Sequence, residues 1–176
     1  MKHLALSVAL AGAIALTGCS SLVSLSRFVT DEQAVMDPAL PGIWTSQDGK
    51  DIYWVREDGN GYSIRHLDDS SVSQEFKARL RVAGDFKLLD LVSANEDAFQ
   101  IAVHTPIRVW TEGSTLRMAL LDSDWIKEQS CKQLPTSPAN DRILITAPSD
   151  AVGNFLAKIG ADTKAYGETE VLRRLQ

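Results

Sequence analysis

The side chains that could carry out chemistry are few and widely spaced along the chain. Carboxylates could act as a general acid and base if the fold brought two of them together. The candidates are Asp68, Asp69, Asp90 and Asp122. Because His66 and His104 lack the spacing of zinc ligands, we predict that they are ordinary strand residues and that the chain holds no metal. No nucleophile-elbow or phosphate-cradling motif accompanies them, so the residues give no positive sign of catalysis.

Two acidic segments have some features of calcium loops. They are Asp58-Gly59-Asn60-Gly61 and Asp122-Ser123-Asp124. A calcium loop of the EF-hand type needs oxygen ligands at alternate positions and a closing bidentate glutamate, and neither segment has these. We therefore predict a hairpin turn for the first segment and a helix cap at Asp122 or Ser123 for the second.

The first nineteen residues have the pattern of an export signal and its cleavage site. Met1-Lys2-His3 gives a positive start, and the uncharged run from Leu4 to Leu16 is too short to span a membrane. The run ends in Leu16-Thr17-Gly18-Cys19, which resembles the lipobox of bacterial membrane lipoproteins. The alternatives are a conventional signal peptide with a cysteine at the cut by chance, or a buried apolar helix.

The lipobox resemblance implies a location and a modification. Residues 1–18 would be the signal peptide, and Cys19 would carry diacylglycerol through its sulfur and an N-acyl chain, with no other cofactor. Three acyl chains exceed what stable anchoring requires, so the membrane is an expected partner. In this family a serine such as Ser20 implies the outer membrane of the bacterial cell envelope, facing the periplasm. The formal net charge of −5 argues against nucleic acid as a partner.

The second cysteine, Cys131, would be left alone by lipidation of Cys19. A disulfide between the two would require an unprocessed chain. A nucleophilic role would need a nearby base, and nothing in the spacing of the histidines supplies one. We therefore predict that Cys131 is an inert thiol, buried or partly buried.

The remainder of the 176-residue chain indicates a single β-rich domain. Residues 19–40 begin serine-rich and lack a sustained period, which predicts a lipidated N-terminus and tether. Residues 41–176 predict the domain, with a C-terminal helical segment. Within it, residues 52–55 and 62–67 flank the turn at Asp58-Gly59-Asn60-Gly61 as an antiparallel pair.

The clearest strand runs from Val72 to Val82, because apolar and polar residues alternate along it. Its polar face carries a basic stripe, defined as Lys77, Arg79 and Arg81. We interpret the stripe as cross-strand partners of acidic residues, with an anionic-headgroup or protein-partner site as the alternative.

Further apolar runs complete a mainly β fold, either an antiparallel meander closed into a lipocalin-like barrel or a strongly curved sheet. The runs are Phe86 to Val92, Phe99 to Val103, Ile107 to Trp110, Leu116 to Leu121 and Ile143 to Thr146. The residues expected to face inward are Phe76, Leu80, Phe86, Leu88, Ile101, Val103, Val109, Met118 and Leu120.

Helical spacing is clear only near the C-terminus. Ser149 is a possible N-cap, apolar residues from Val152 to Ile159 follow at helical spacing, and Gly160 ends the run. This amphipathic helix packs on the sheet or, as the alternative, lies on a membrane. The tail from Glu168 to Leu175 could be a helix or a last strand.

The segment Gly42-Ile43-Trp44 resembles the G-x-W motif of lipocalins. The resemblance implies that Trp44 seals the closed end of a barrel and that Arg173 or Arg174 packs over it. The domain is also similar to uncharacterised lipocalin-like bacterial lipoproteins, although the other lipocalin motifs are absent.

Two classes of function follow, and we favour a non-catalytic binding or scaffold module with a protein or lipid partner in the envelope. The alternatives are a carrier of a lipid or small apolar ligand, or an envelope hydrolase with a carboxylate site. A carrier needs an apolar cavity of roughly a few hundred Å3, whereas a scaffold fills its barrel with side chains.

Overall fold

The computed structural model describes residues 22–70, 73–94, 101–139 and 142–175. The strands are β1 (Leu22–Ser24), β2 (Gly42–Thr45), β3 (Ile52–Asp58), β4 (Gly61–Leu67), β5 (Ser73–Ala83), β6 (Phe86–Ser93), β7 (His104–Glu112), β8 (Thr115–Leu121), β9 (Thr136–Ala139), β10 (Arg142–Ile145) and β11 (Tyr166–Arg174). The helices are α1 (Ser123–Gln133), α2 (Ser149–Ile159) and a short 3-10 helix, Thr163–Ala165.

Eight strands form a closed antiparallel barrel. Their order is β6-β5-β4-β3-β2-β11-β8-β7, and β7 pairs again with β6 to close the ring. The remaining strands extend the sheet from β7 in the order β1-β10-β9. The predicted fold class, a mainly β lipocalin-like barrel with a C-terminal helix, is confirmed.

Tight turns set the register of the meander. The predicted hairpin pairs Ile52 with Leu67 and Asp58 with Gly61. Its turn needs a residue in the left-handed region, and Gly59 supplies one with φ of 61°. The calcium-like segment at this turn is therefore a hairpin turn, as predicted.

The alternation along β5 places its apolar side chains inside the barrel. Ala78 and Leu80 are buried there and Phe76 packs against them, whereas Val82, near the end of the strand, is exposed. The other buried side chains of the barrel interior come from the remaining barrel strands and from the segment before β2. They are Leu40, Trp44, Tyr53, Val55, Tyr62, Ile64, Leu89, Leu91, Ile107, Val109, Leu116 and Leu172, with Met118 and Leu120 against them.

Four of the predicted inward residues are placed differently. Phe86 and Leu88 are buried, but they face outward into a second core. The strand β6 is apolar on both faces, so alternation could not distinguish its inner side from its outer side. Of the predicted strand at Phe99–Val103, only residues 101–103 are among the described residues, and these three are not in a strand. Ile101 is 77% exposed and Val103 is half-buried.

The second core lies between the outer wall of the barrel and α2. Val152, Phe155, Leu156 and Ile159 supply the stripe that the sequence predicted. The predicted cap is wrong: Pro148 is the N-cap residue, with no side-chain cap, and Ser149 is the first residue of the helix.

Two further predictions concern the elements around this core. Asp122 caps α1, because its carboxylate accepts a hydrogen bond from the Trp125 amide at 2.8 Å. Cys131 lies on this helix. The tail that could have been helix or strand is β11, which joins β8 to β2.

The predicted tether is part of the fold from Leu22 onward. Leu22 and Val23 are buried in β1, and Phe28 and Val29 are buried further along. Short apolar stretches between serines carry no helical or strand period, so only pairing with distant strands shows that this segment is ordered.

Candidate functional site

A row of four aromatic and cationic side chains crosses neighbouring strands of the barrel. Arg174 on β11 pairs in register with Trp44, Trp44 with Tyr53, and Tyr53 with His66. The guanidinium carbon of Arg174 lies 4.3 Å from the centroid of the Trp44 ring. The Tyr53 and His66 rings are stacked with centroids 4.5 Å apart. We call these four residues the inner row.

At one end of the inner row, Arg174 covers Trp44. Its guanidinium donates to the carbonyl oxygens of Pro41 at 2.8 Å and Ala39 at 2.6 Å, and the Trp44 indole donates to that of Leu40 at 2.9 Å. Gly42 has φ of 149°, and the Arg174 guanidinium fills the space that a Cβ would take there. The G-x-W resemblance therefore carries over to the packing, and Arg174 rather than Arg173 serves as its arginine.

At the other end of the inner row lies an acidic pair, defined as Asp51 and Glu170. The His66 Nε2 atom lies 2.8 Å from Asp51 Oδ1, and the Tyr53 hydroxyl donates to Glu170 at 3.4 Å. The other ring nitrogen of His66, Nδ1, is buried without a hydrogen-bond partner among the described residues. Together with Tyr53 and His66, the acidic pair forms a polar cluster at this end of the inner row.

Burial and like charge change the acidity of this cluster. Desolvation, followed by the nearby Asp51 carboxylate, raises the pKa of Glu170 to about 7. Burial, together with the charges of Glu170 and Asp51, also raises the pKa of Tyr53. Glu170 therefore takes up a proton near neutral pH, which an exposed glutamate does not do.

A small apolar cavity lies beside Tyr53 and β11, the strand that carries Glu170. Its volume is about 30 Å3, and its wall includes Tyr53, Met118 and Leu172. A single water needs roughly 10 to 15 Å3 by this kind of measure. The cavity therefore has room for about two or three waters and none for a lipid chain.

A second cavity, of about 90 Å3, lies at Lys77, Arg79 and His104. His104 Nδ1 lies 2.7 Å from Asp90 Oδ1 at its edge. The other Asp90 oxygen accepts hydrogen bonds from the amides of Phe28 at 3.0 Å and Val29 at 3.3 Å. Asp90 is thus a buried acceptor that holds the N-terminal segment.

The basic stripe pairs only in part with acidic residues. Arg79 forms an ion pair with Asp31 at 2.9 Å and lies opposite Asp90 in the ladder. Arg81 instead donates to the carbonyl oxygen of Phe28 at 3.4 Å. Contacts with the N-terminal segment, at Asp31 and Phe28, therefore account for two of its three cations.

The four aspartates singled out from the sequence have separate placements. Asp90 holds backbone amides, Asp122 caps α1, and Asp68 accepts two hydrogen bonds from Ser70; Asp69 follows Asp68 in the same turn. The two carboxylates that do influence each other, Asp51 and Glu170, were not among the residues that the sequence indicated. They are far apart in the sequence, and only the pairing of β11 with β2 and β8 brings Glu170 to the barrel end that carries Asp51.

The lipidation site, Cys19, lies outside the described residues. Among the described helices, none is both long and apolar enough to cross a membrane. The described residues also contain no group of three or more His, Cys, Asp and Glu side chains placed to hold a metal ion. No protein-family model, curated protein or solved structure matches the chain.

Proposed function

We propose that the chain is a bacterial envelope lipoprotein, anchored through Cys19 to the outer membrane, whose barrel is a non-catalytic binding or scaffold module. The lipobox Leu16-Thr17-Gly18-Cys19 supports the anchor. The closed barrel is compatible with a lipocalin-like binding module. The proposed partners are the membrane, through the anchor, and a protein or lipid of the envelope.

The observation that carries the choice of a scaffold is the filled barrel. Trp44, Tyr62, Leu80 and Leu172 are almost completely buried in its interior. The cavity among the apolar side chains at Tyr53, Met118 and Leu172 has a volume of about 30 Å3, whereas small-molecule sites occupy roughly 300 to 1,000 Å3. A carrier of a lipid or apolar ligand would need this core to be displaced, so we place any binding on the outer surface.

The polar cluster is the observation that bears on an enzyme. Two carboxyl groups and an imidazole are the groups that a hydrolase uses, and the raised pKa of Glu170 suits a general acid. Here, however, Asp51 bonds His66 and Glu170 bonds Tyr53. These contacts link side chains of β3, β4 and β11 to one another, so we propose a structural role for the cluster.

Mass spectrometry of the protein extracted from its own membranes tests the anchor. We expect a mature chain beginning at Cys19 that carries three acyl chains, and we expect Cys19→Ala to leave the membrane fraction. The matched control is Cys131→Ala, which should remain anchored. A mature mass equal to all 176 residues would show that the anchor is wrong.

Native mass spectrometry of the same detergent-extracted protein tests the filled barrel. We expect no non-covalently bound lipid to remain on the protein after the detergent has been exchanged to remove loosely associated lipid. A stoichiometric lipid that is lost from a variant with a larger interior side chain, Ala78→Leu, would instead establish the carrier. Crosslinking in the intact envelope that yields one stoichiometric protein adduct would support the scaffold.

A further inference from the structure

The strand β1 attaches the N-terminal segment directly to the wall of the barrel. Leu22 pairs in parallel with Ile143 on β10, and Ser24 pairs with His104 on β7. The side chains of all three β1 residues are buried. This segment is therefore a strand of the sheet rather than a loop resting on it.

The residues after β1 hold it in place. The amides of Phe28 and Val29 donate to the buried carboxylate of Asp90. Further along, the Val35 amide donates to the carbonyl oxygen of Leu80 at 2.9 Å. Because each contact is made to a barrel strand, the segment cannot swing away without breaking them.

Very little chain separates the proposed lipid from this strand. Only Ser20 and Ser21 lie between Cys19 and Leu22. Three residues of extended chain span at most about 11 Å. The acylated residue is therefore confined to the neighbourhood of the β1 end that adjoins the start of β10.

We infer that the barrel faces the bilayer surface, in one orientation, with the side that carries the sheet extension β1-β10-β9. This inference rests on the proposed anchoring at Cys19. The partner surface is the lipid headgroup layer of the membrane that holds the anchor. A tether of many residues would let any side of the barrel approach the bilayer, whereas this short connection keeps the β1 end within about 11 Å of the acylated residue.

The opposite wall is then directed away from the membrane. In the ring of eight strands, β3 is four strands from β7 in either direction. It carries Trp54, which is 39% exposed and pairs with Ile43, 41% exposed, on β2. Leu175, 46% exposed, bonds the backbone of Ile43. These three residues, the distal apolar face, are turned to the aqueous side in this orientation.

Spin labels on the two walls test the orientation. The variants are Ser137→Cys and Ser63→Cys, each in the lipidated protein with Cys131→Ser and reconstituted into vesicles of phosphatidylethanolamine and phosphatidylglycerol. Ser137 lies two strands from Val23, across Leu144, or about 10 Å. Ser63 lies on the outside of β4, between Arg56 on β3 and Lys77 on β5.

A gadolinium-chelate lipid in the vesicles should relax the label at position 137 several-fold more than the label at position 63. A flexible Gly-Ser insertion between Ser21 and Leu22 should make the two effects equal while flotation with vesicles is retained. Equal relaxation without the insertion would overturn the orientation. Loss of flotation in the parent protein would instead show that the anchoring itself is wrong.

Discussion

Glu170 should make the barrel less stable as the pH rises. Its pKa is raised from the usual value of a glutamate to about 7, so the folded state binds more protons than the unfolded state between about pH 4.5 and 7. Stability is therefore fully present below this window and declines through it. The shift sets an upper magnitude of about 3 kcal/mol. Urea unfolding at pH 5 and pH 7.5 measures it.

The substitution Glu170→Gln isolates this contribution. We expect the variant and the parent to have similar stability at pH 5, and the variant to be the more stable at pH 7.5. Glu168→Gln is the matched control, because Glu168 lies exposed on the same strand. Should the difference between parent and Glu170→Gln not change with pH, the raised pKa of Glu170 is wrong.

Arg174 should stabilise the fold more than its neighbour Arg173 does. It donates two hydrogen bonds to carbonyl oxygens and lies over Trp44, whereas Arg173 is exposed. We expect Arg174→Ala to lower the free energy of unfolding by about 3 kcal/mol. Arg173→Ala should lower it by less than about 0.5 kcal/mol. Equal losses in chemical denaturation would contradict the role of Arg174.

At the scale of elements, Asp90 should decide whether the N-terminal segment stays on the barrel. Asp90→Ala leaves the buried amides of Phe28 and Val29 without an acceptor, at a cost of about 1 to 3 kcal/mol for each. We expect hydrogen exchange of residues 22–30 to accelerate. His104→Ala is the control, since it removes a partner of Asp90 and leaves both amides bonded. Comparable acceleration in both variants would show that Asp90 does not hold the N-terminal segment on the barrel.

The meander could be predicted from sequence because its signals are local. Alternation identified β5, and the glycine turn at residues 59–61 identified the β3–β4 hairpin. The sides of β6 could not be predicted, since Phe86 and Leu88 are as apolar as Leu89 and Leu91. The acidic pair and β1 depend on contacts between distant parts of the chain, and a single sequence carries no local sign of such contacts.

At the scale of the whole molecule, β11 completes the barrel by pairing with both β8 and β2. Removing residues 166–176 would open two strand edges and expose Trp44. We expect this variant to lose its cooperative unfolding transition, measured by circular dichroism against urea. The control, removal of residues 1–21, deletes none of the contacts described above and should keep the transition. A truncated chain that still unfolds cooperatively would show that closure is dispensable.

The parallel pairing of β1 with β10 also has a kinetic consequence. Its partners are more than a hundred residues apart, and the ring closes only with the last strand. Contacts of such high sequence separation make a β protein fold slowly, in milliseconds to seconds. The strand β1 cannot pair with β10, and the ring cannot close, until the C-terminal part of the chain has been synthesised. With the anchor proposed at Cys19, the chain would be acylated at one end while still unfolded, and its barrel would assemble with that end already held at the membrane surface.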